Sequence, residues 1–399
     1  MRHAYLILGT NPTLSWAEVA NFLSIHQPRQ ISDRLVELSI EDDSLDLELY
    51  LADLVDQLGG TVKSLKELVR LSKPTLDQVT AEIVQQLIKD ARKIVFSYVS
   101  HGHQANQQLT VEEIKQALLA ADRPSRYIEP NGIDGVSAAV LLHSRCVELQ
   151  GIWTESEFIL TQTIGVQDID AWTFRDRSKP YANHAKGMLP PKLARIMVNL
   201  AYSLEELALD PATKLVYDPF CGTGTVLLEA VLAGYAVVGS DIDGDSTLGS
   251  KKNLSWFAES LSASEKYERA ARLAEQAQIV NSDAVHIDPR QLPGKIDAIV
   301  TEPFLGKQTP RPNQVDGLLK GLSKLYLGAF KQWCSVLKPG AKVVMIWPAV
   351  HINSRTSDLS FLIDKLVPSG YTLKIGPLAY ARPGAVVQRQ VMVFEWQPK

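Results

Sequence analysis

The chain predicts an α/β protein whose second half is a mostly parallel, Rossmann-like sheet of seven strands, and three observations carry that expectation. Short β-branched runs alternate with helical segments from residue 215 onward, a strand ending in an acid runs directly into a glycine loop, and 399 residues at 45% hydrophobic content can fill more than one core. At about 150 residues per domain the length allows two or three domains.

The elements follow in order. Ala4 to Leu8 reads as a strand, and Ser15-Trp16-Ala17-Glu18 reads as a capping box for a helix reaching Ile25. Leu35 to Ile40 is a second strand, residues 41–57 are acidic and helical from Leu45, and Gly59-Gly60 leads into the apolar-edged run Thr61 to Leu65. A helix over Thr75 to Asp90, a strand over Lys93 to Ser100 and a second capping box at Thr110-Val111-Glu112-Glu113 come next. Strands at Arg126 to Glu129, Arg145 to Trp153 and Glu157 to Ile164, with a helix at Val136 to Leu142, complete two small α/β pieces. These are expected as domains 1–72 and 73–165. Residues 166–191, polar and basic, suit a linker. Domain 192–399 opens with Pro190-Pro191 at a helix start, followed by strands at Leu215 to Asp218, Ala236 to Asp241, Gln278 to Asn281, Ala298 to Thr301, Lys342 to Trp347, Thr372 to Ile375 and Gln390 to Trp396.

Composition excludes several classes. Cys146, Cys221 and Cys334 are odd in number and far apart, so neither a disulfide framework nor a zinc site is expected, and the chain reads as a cytoplasmic protein without a metal. No apolar run approaches the ~20 residues of a membrane span. A formal charge of −4 argues against a protein that coats nucleic acid by bulk charge.

The chemistry concentrates in Leu215-Val216-Tyr217-Asp218-Pro219-Phe220-Cys221-Gly222-Thr223-Gly224-Thr225. Gly222 and Gly224 let backbone approach a ligand, and the following helix offers free N–H groups. A second acid, Asp241, ends the next strand at 241 − 218 = 23 residues, and a third, Asp283, follows another strand beside Ala284. Leu227 occupies the place of the third glycine in a dinucleotide fingerprint, so the pattern fits S-adenosyl-L-methionine better. Asp241 and the adjacent Ile242 then face the ribose, Asp283 and Ala284 the adenine, and Asp218 with Phe220 shapes the loop near the ammonium. Asp243 and Asp245 read as a turn and helix cap, and Cys221 as packing.

The fourth strand ends at Thr301-Glu302-Pro303-Phe304-Leu305. Exocyclic amines of nucleobases are poor nucleophiles, because the nitrogen lone pair is delocalised into the ring. A side-chain acceptor, carbonyls presented by a proline turn and an aromatic face are the parts that hold such an amine in line with a methyl group. Glu302, Pro303 and Phe304 supply them as candidate catalytic residues, while a plain turn beside a core aromatic is the other reading.

Asp218-Pro219-Phe220-Cys221-Gly222-Thr223-Gly224, the preceding Gly187-Met188-Leu189-Pro190-Pro191-Lys192-Leu193-Ala194 and the strand end Ser240-Asp241-Ile242-Asp243 resemble the THUMP-containing RNA methylases, specifically tRNA guanine-N2 methyltransferases. The opening Leu6-Ile7-Leu8-Gly9-Thr10-Asn11-Pro12 and the run Val166 to Trp172 look like bacterial members. The resemblance implies a ferredoxin-like piece, a THUMP domain docking on tRNA and a class I S-adenosylmethionine-dependent methyltransferase domain. That family carries Asp or Asn followed by Pro-Pro-Tyr or Pro-Pro-Phe. Here either Glu302 replaces the acid with one proline missing, or Phe304 aligns with the aromatic and Glu302 falls on a proline. A DNA amino-methyltransferase and a catalytically silent THUMP RNA-binding protein stand as alternatives.

Charge is segregated along the chain. Arg175, Arg177, Lys179, Lys186, Lys192 and Arg195 face only Asp176, with Trp172, Phe174 and Tyr181 interleaved, and Lys307, Arg311, Lys320, Lys324, Lys331, Lys338 and Lys342 face only Asp316. Solvated helix faces explain such runs as well as binding does. Because they flank the methyl-transfer motifs, Arg175, Arg177, Lys179, Lys186, Lys307 and Arg311 are the candidate RNA contacts.

Overall fold

In this computed structural model the described residues are 1–89, 93–102, 109–182, 188–209, 214–381 and 384–399. They divide into two units, residues 1–12 with 26–170 and residues 13–25 with 171–399.

In the first unit, alternating apolar runs become β1 (Arg2–Leu8), β2 (Arg29–Ser32), β3 (Leu35–Ile40), β4 (Thr61–Ser72), β5 (Ile94–His101), β6 (Ser125–Tyr127), β7 (Val147–Trp153) and β8 (Glu157–Val166). Among the described residues these form one sheet in the order β2-β3-β1-β4-β8-β7-β5-β6. The two pieces expected from the sequence therefore share a continuous sheet. The join is β4, which runs seven residues past the expected Leu65 and pairs antiparallel with β8 from Lys63 to Ser72. Its far half packs Leu68, Val69 and Leu71 against a core and is also held by ions: Arg70 donates to Glu37, Glu67, Glu157 and the Tyr5 hydroxyl at 2.8–3.2 Å. An apolar pattern carries no sign of such a network.

Helices α2 (Leu47–Gln57), α3 (Leu76–Ile88), α4 (Val111–Ala120) and α5 (Ala138–Ser144) belong to this unit. Thr75 and Thr110 close full capping boxes at α3 and α4, as the sequence predicts for Thr110. The Ser15 box is corrected: α1 (Pro12–Phe22) starts three residues earlier, and Ser15 is 1% exposed inside it. Lys63 on β4 and Glu148 on β7 make a fully buried ion pair at 2.6 Å, which also takes the Val136 N–H and carbonyl, Gln150 and Thr163.

The second unit follows the expected alternation. Strands β9 (Leu215–Asp218), β10 (Ala236–Asp241), β11 (Gln278–Asn281), β12 (Ile296–Thr301), β13 (Leu337–Ile352), β15 (Tyr371–Tyr380) and β16 (Val387–Trp396) form a sheet in the order β11-β10-β9-β12-β13-β16-β15, with the short β14 (Arg355–Ser357) appended to β13. β9 to β13 run parallel through β12, and β16 is antiparallel to both neighbours. Helices α6 (Ile169–Arg177, from Ala171), α7 (Pro191–Ala201), α8 (Leu204–Leu209), α9 (Thr225–Leu232), α10 (Gly244–Leu261), α11 (Glu268–Glu275), α12 (Val315–Trp333) and α13 (Ile363–Leu366) accompany this sheet. One core gathers Leu193, Met197, Leu227, Val231 and Phe257 with the sheet, and the other gathers Tyr326, Phe330, Trp333, Trp347 and Phe394. This is an α/β fold of the class I methyltransferase type, with its loops of interest at the carboxyl ends of parallel strands.

Removing one partner of the buried Lys63–Glu148 pair strands a charge, so Lys63→Met is expected to destabilise the protein by about 3–5 kcal/mol. The double change Lys63→Met with Glu148→Leu should recover much of that loss, and urea unfolding followed by tryptophan fluorescence checks it.

Candidate functional site

Parallel pairing of β10, β9 and β12 brings the acids at their ends together. Asp218 ends β9 at 2% exposure. Its Oδ1 accepts the Thr301 hydroxyl from the end of β12 at 2.6 Å and the Phe220 N–H at 3.1 Å. Burial pushes its carboxyl up to about 7 against those two hydrogen bonds, with the negative charges of Asp241 and Glu302 adding to the rise. The expected loop-shaping role of Asp218 therefore has a concrete form: it ties the glycine loop to the neighbouring strand end.

The loop itself leaves β9 through Cys221, whose N–H bonds the Ser240 carbonyl of β10 at 2.9 Å. Cys221 is buried, and burial raises its thiol well above the ordinary range, which agrees with packing and not with a nucleophile. Gly222 has φ +51° and open space where a Cβ would point, while Gly224 has φ +87° and would drive a Cβ into the Ser250 hydroxyl at 2.6 Å. One glycine thus leaves room above the loop and the other lets it pack on α10.

Asp241 ends β10 and accepts the Gly222 N–H at 2.9 Å on one oxygen and the Asp243 N–H at 2.9 Å on the other. It is a brace for the loop as well as a candidate ligand for a hydroxyl. Asn281 and Ser282 hold the same turn by donating to the Asp241 and Ile242 carbonyls at 3.0–3.1 Å. Ile242 is 72% exposed, an apolar surface offered beside the acid. Asp243 caps α10 as expected. Asp283 accepts the Val285 N–H and the His286 ring at 3.0 Å each. Burial pushes its carboxyl up, but those two partners outweigh it and hold it below the ordinary value. Ala284 is buried beside it, and Phe220 packs partly into the core. A glycine loop open on one side, a carboxylate at each of two neighbouring strand ends and an exposed aliphatic side chain fit a ligand carrying a ribose and an adenine. Among the described residues no group of three or more His, Cys, Asp or Glu side chains is placed to hold a metal ion.

After β12 the chain turns through Glu302, Pro303 and Phe304. Pro303 is buried and Phe304 is 64% exposed, so the turn presents an aromatic face outward. The buried Tyr326 hydroxyl donates to the Phe304 carbonyl at 2.9 Å, which fixes the turn from α12. Glu302 accepts Arg389 Nε on Oε1 at 2.5 Å. No sequence motif points to Arg389; it lies on β16 opposite Pro348 of β13, and only the strand order brings it to Glu302.

The basic candidates separate by burial. Arg175 and Lys179 are corrected: they are 8% and 6% exposed, and their charges are engaged inside the unit. Arg175 stacks 4.0 Å from the Trp172 ring centroid and shares the buried Glu229 carboxylate with Arg195, at 2.8 and 3.1 Å. Lys179 donates to Thr225 Oγ1 at 2.9 Å, and burial lowers its pKa. Asn253 bonds the Tyr181 backbone and the Thr223 carbonyl, so the segment expected as a linker is bound against the glycine loop. Trp172 is buried and Phe174 packs on Trp256. Arg177, Lys307 and Arg311 are exposed, as are Lys320, Lys324 and Lys331 on α12. Lys338 pairs with Asp297, and Lys186 lies outside the described residues.

Residues 182–346 match the family model described as UPF0020, RMKL-like, methyltransferase domain. The chain is 33% identical over 227 residues to the tRNA (guanine(10)-N2)-dimethyltransferase of Methanothermobacter thermautotrophicus, covering 55% of this chain and 56% of that protein. It is 24% identical over 334 residues to the protein of the same name from Methanocaldococcus jannaschii, covering 80% of this chain and 87% of the relative. The chain thus spans about half the length of the first of these relatives. A possible methylase from Clostridium difficile 630 shares the fold over the whole chain, with a TM-score of 0.50 at 11% identity and 98% of its own length covered.

The raised Asp218 gives a signed pH dependence. Its contribution to stability is full below the ordinary aspartate value of 3.8 and is lost as pH rises toward about 7. Asp218→Asn cannot ionise, so its melting temperature should climb relative to the unaltered protein across that interval and run parallel above it; parallel melting curves throughout would contradict the buried carboxyl.

Proposed function

We propose that the protein is an S-adenosylmethionine-dependent tRNA methyltransferase that modifies the exocyclic N2 amine of a guanosine, and we take position 10, named for its relatives, as the target to test. The observation that carries this reading is the exposed Phe304 face and Glu302 carboxylate at the end of β12, one strand from the glycine loop. In the same reading the first unit holds the ferredoxin-like and THUMP pieces that dock tRNA, and the strand order β2-β3-β1-β4 supports the ferredoxin-like piece. Among the described residues no helix is long and apolar enough to cross a membrane, and the three free cysteines suit a reducing cytoplasm.

Bound S-adenosylmethionine supplies an electrophilic methyl group on a sulfonium. The chain's own residues do the rest. Asp241 and Ile242 receive the ribose, and Asp283 accepts the adenine amine. The flipped guanine stacks on Phe304, an aromatic face left open to solvent for that purpose. Glu302 and the carbonyls of the Pro303 turn accept the N2–H groups, which localises the nitrogen lone pair and aims it at the methyl carbon. Glu302 or solvent takes the proton that the amine gives up. Exposed Arg177, Lys307 and Arg311 contact phosphates.

Labelled methyl transfer into a tRNA transcript tests the reading. Substituting inosine for guanosine 10 removes only the N2 amine and should abolish labelling; persistent labelling would place the chemistry elsewhere. Glu302→Gln should lower kcat by about 10²-fold or more while calorimetry shows unchanged cofactor affinity. Asp241→Ala should lose cofactor binding itself. Absence of cofactor binding would favour the silent RNA-binding alternative, and transfer to DNA the other.

A separate expectation concerns charge. Lys307→Ala with Arg311→Ala should weaken tRNA binding and reduce the slope of log K against log salt by about one to two, as measured by fluorescence anisotropy.

A further inference from the structure

Arg389 and Glu302 form a pair whose remaining hydrogen-bonding groups match one nucleobase edge. Arg389 reaches past β13 from β16, and its Nε donates to Glu302 Oε1 at 2.5 Å. The two side chains are 21% and 16% exposed, so the pair stands at the edge of the site and is not sealed within the core. The guanidinium has five N–H donors in a rigid plane, of which this contact uses one. The carboxylate keeps Oε2. The pair thus combines an acceptor with a fork of donors.

We propose that Glu302 and Arg389 together read the Watson–Crick edge of the target base and select guanine, with Glu302 accepting N2–H and N1–H and Arg389 donating to O6. This rests on the methyltransferase reading above. Guanine presents two adjacent donors followed by an acceptor, which is the complement of a carboxylate beside a guanidinium. Adenine presents its ring N1 as an acceptor next to the amine, and cytosine its N3, so either base would set a lone pair against the carboxylate. A site built to bond a group that the wrong base lacks rejects that base strongly, because its own buried polar atoms are left unpaired.

The pair also accounts for a glutamate at this place. Its extra methylene adds a rotatable bond relative to Asp or Asn, and holding one carboxylate oxygen on Arg389 removes that freedom before the base arrives. Arg389 is in this sense a positioning residue for Glu302 as well as a specificity determinant.

The test compares tRNA transcripts carrying guanosine or 6-thioguanosine at the methylated position; sulfur replaces only O6 and accepts hydrogen bonds weakly. The unaltered protein should lose about 10- to 100-fold in kcat/KM on the thio substrate. Arg389→Met should lose a similar factor on guanosine and then show no further loss on 6-thioguanosine, while Arg389→Lys recovers part of the activity on guanosine. Cofactor affinity and melting temperature should stay close to the unaltered values; where Arg389→Met does not fold, Arg389→Lys carries the same comparison, with a reduced thio effect expected. Equal thio effects in the variant and the unaltered protein would overturn the O6 contact while leaving the methyltransferase reading intact. An unaltered protein inactive on the guanosine transcript would overturn that underlying reading.

Discussion

The hydrogen bond from the Thr301 hydroxyl to Asp218, 2.6 Å long and out of reach of solvent, is the constraint on which the site depends. It joins the end of the strand that launches the glycine loop to the end of the strand that launches the Glu302 turn. A buried aspartate is costly unless its oxygens are bonded, so this position tolerates little movement of either strand end. From there the order propagates outward. Asp218 fixes the Phe220 N–H, Asp241 braces Gly222, and Tyr326 pins the Phe304 carbonyl. The acids that sequence reasoning assigns to ligands thus serve first as supports for backbone. Such support is what keeps a ligand site within a fraction of an ångström of a working geometry.

Much of the second unit was legible because its signals are local. A β-branched strand ending in an acid, then glycines with positive φ, then a helix, can be read without knowing the strand order, and all seven expected strands of that unit are present. The candidate site residues converge because parallel strands deliver their ends to one edge. What the sequence hid was nonlocal. The β12-β13-β16 adjacency that brings Arg389 to Glu302 has no trace in either segment. The ion network on the far half of β4 leaves no local signal, since the Arg70 partners Glu37 and Glu157 lie far away in the chain. Ser15 misled for a different reason: the box pattern was present, but Pro12 starts the helix and takes the cap position with it.

Charge shows the same division. A run of bases along the sequence says nothing about which way each side chain points. In the segment from Arg175 to Arg195, Glu229 draws two guanidiniums inward and Thr225 takes Lys179, so that run stabilises the packing of α6 and α7 on α9. Of the bases after Phe304, Lys307, Arg311, Lys320, Lys324 and Lys331 are exposed while Lys338 pairs with Asp297, and the formal charge of −4 is compatible with a local basic surface.

The central claim is that these two loops act as one seat for a guanine amine. Digesting methylated tRNA to nucleosides and identifying the modified base by mass spectrometry tests it most directly. The account predicts N2-methylated guanosine, with the isotope from labelled cofactor on N2 alone; a methyl group on a ring nitrogen, on adenosine or on ribose would contradict it.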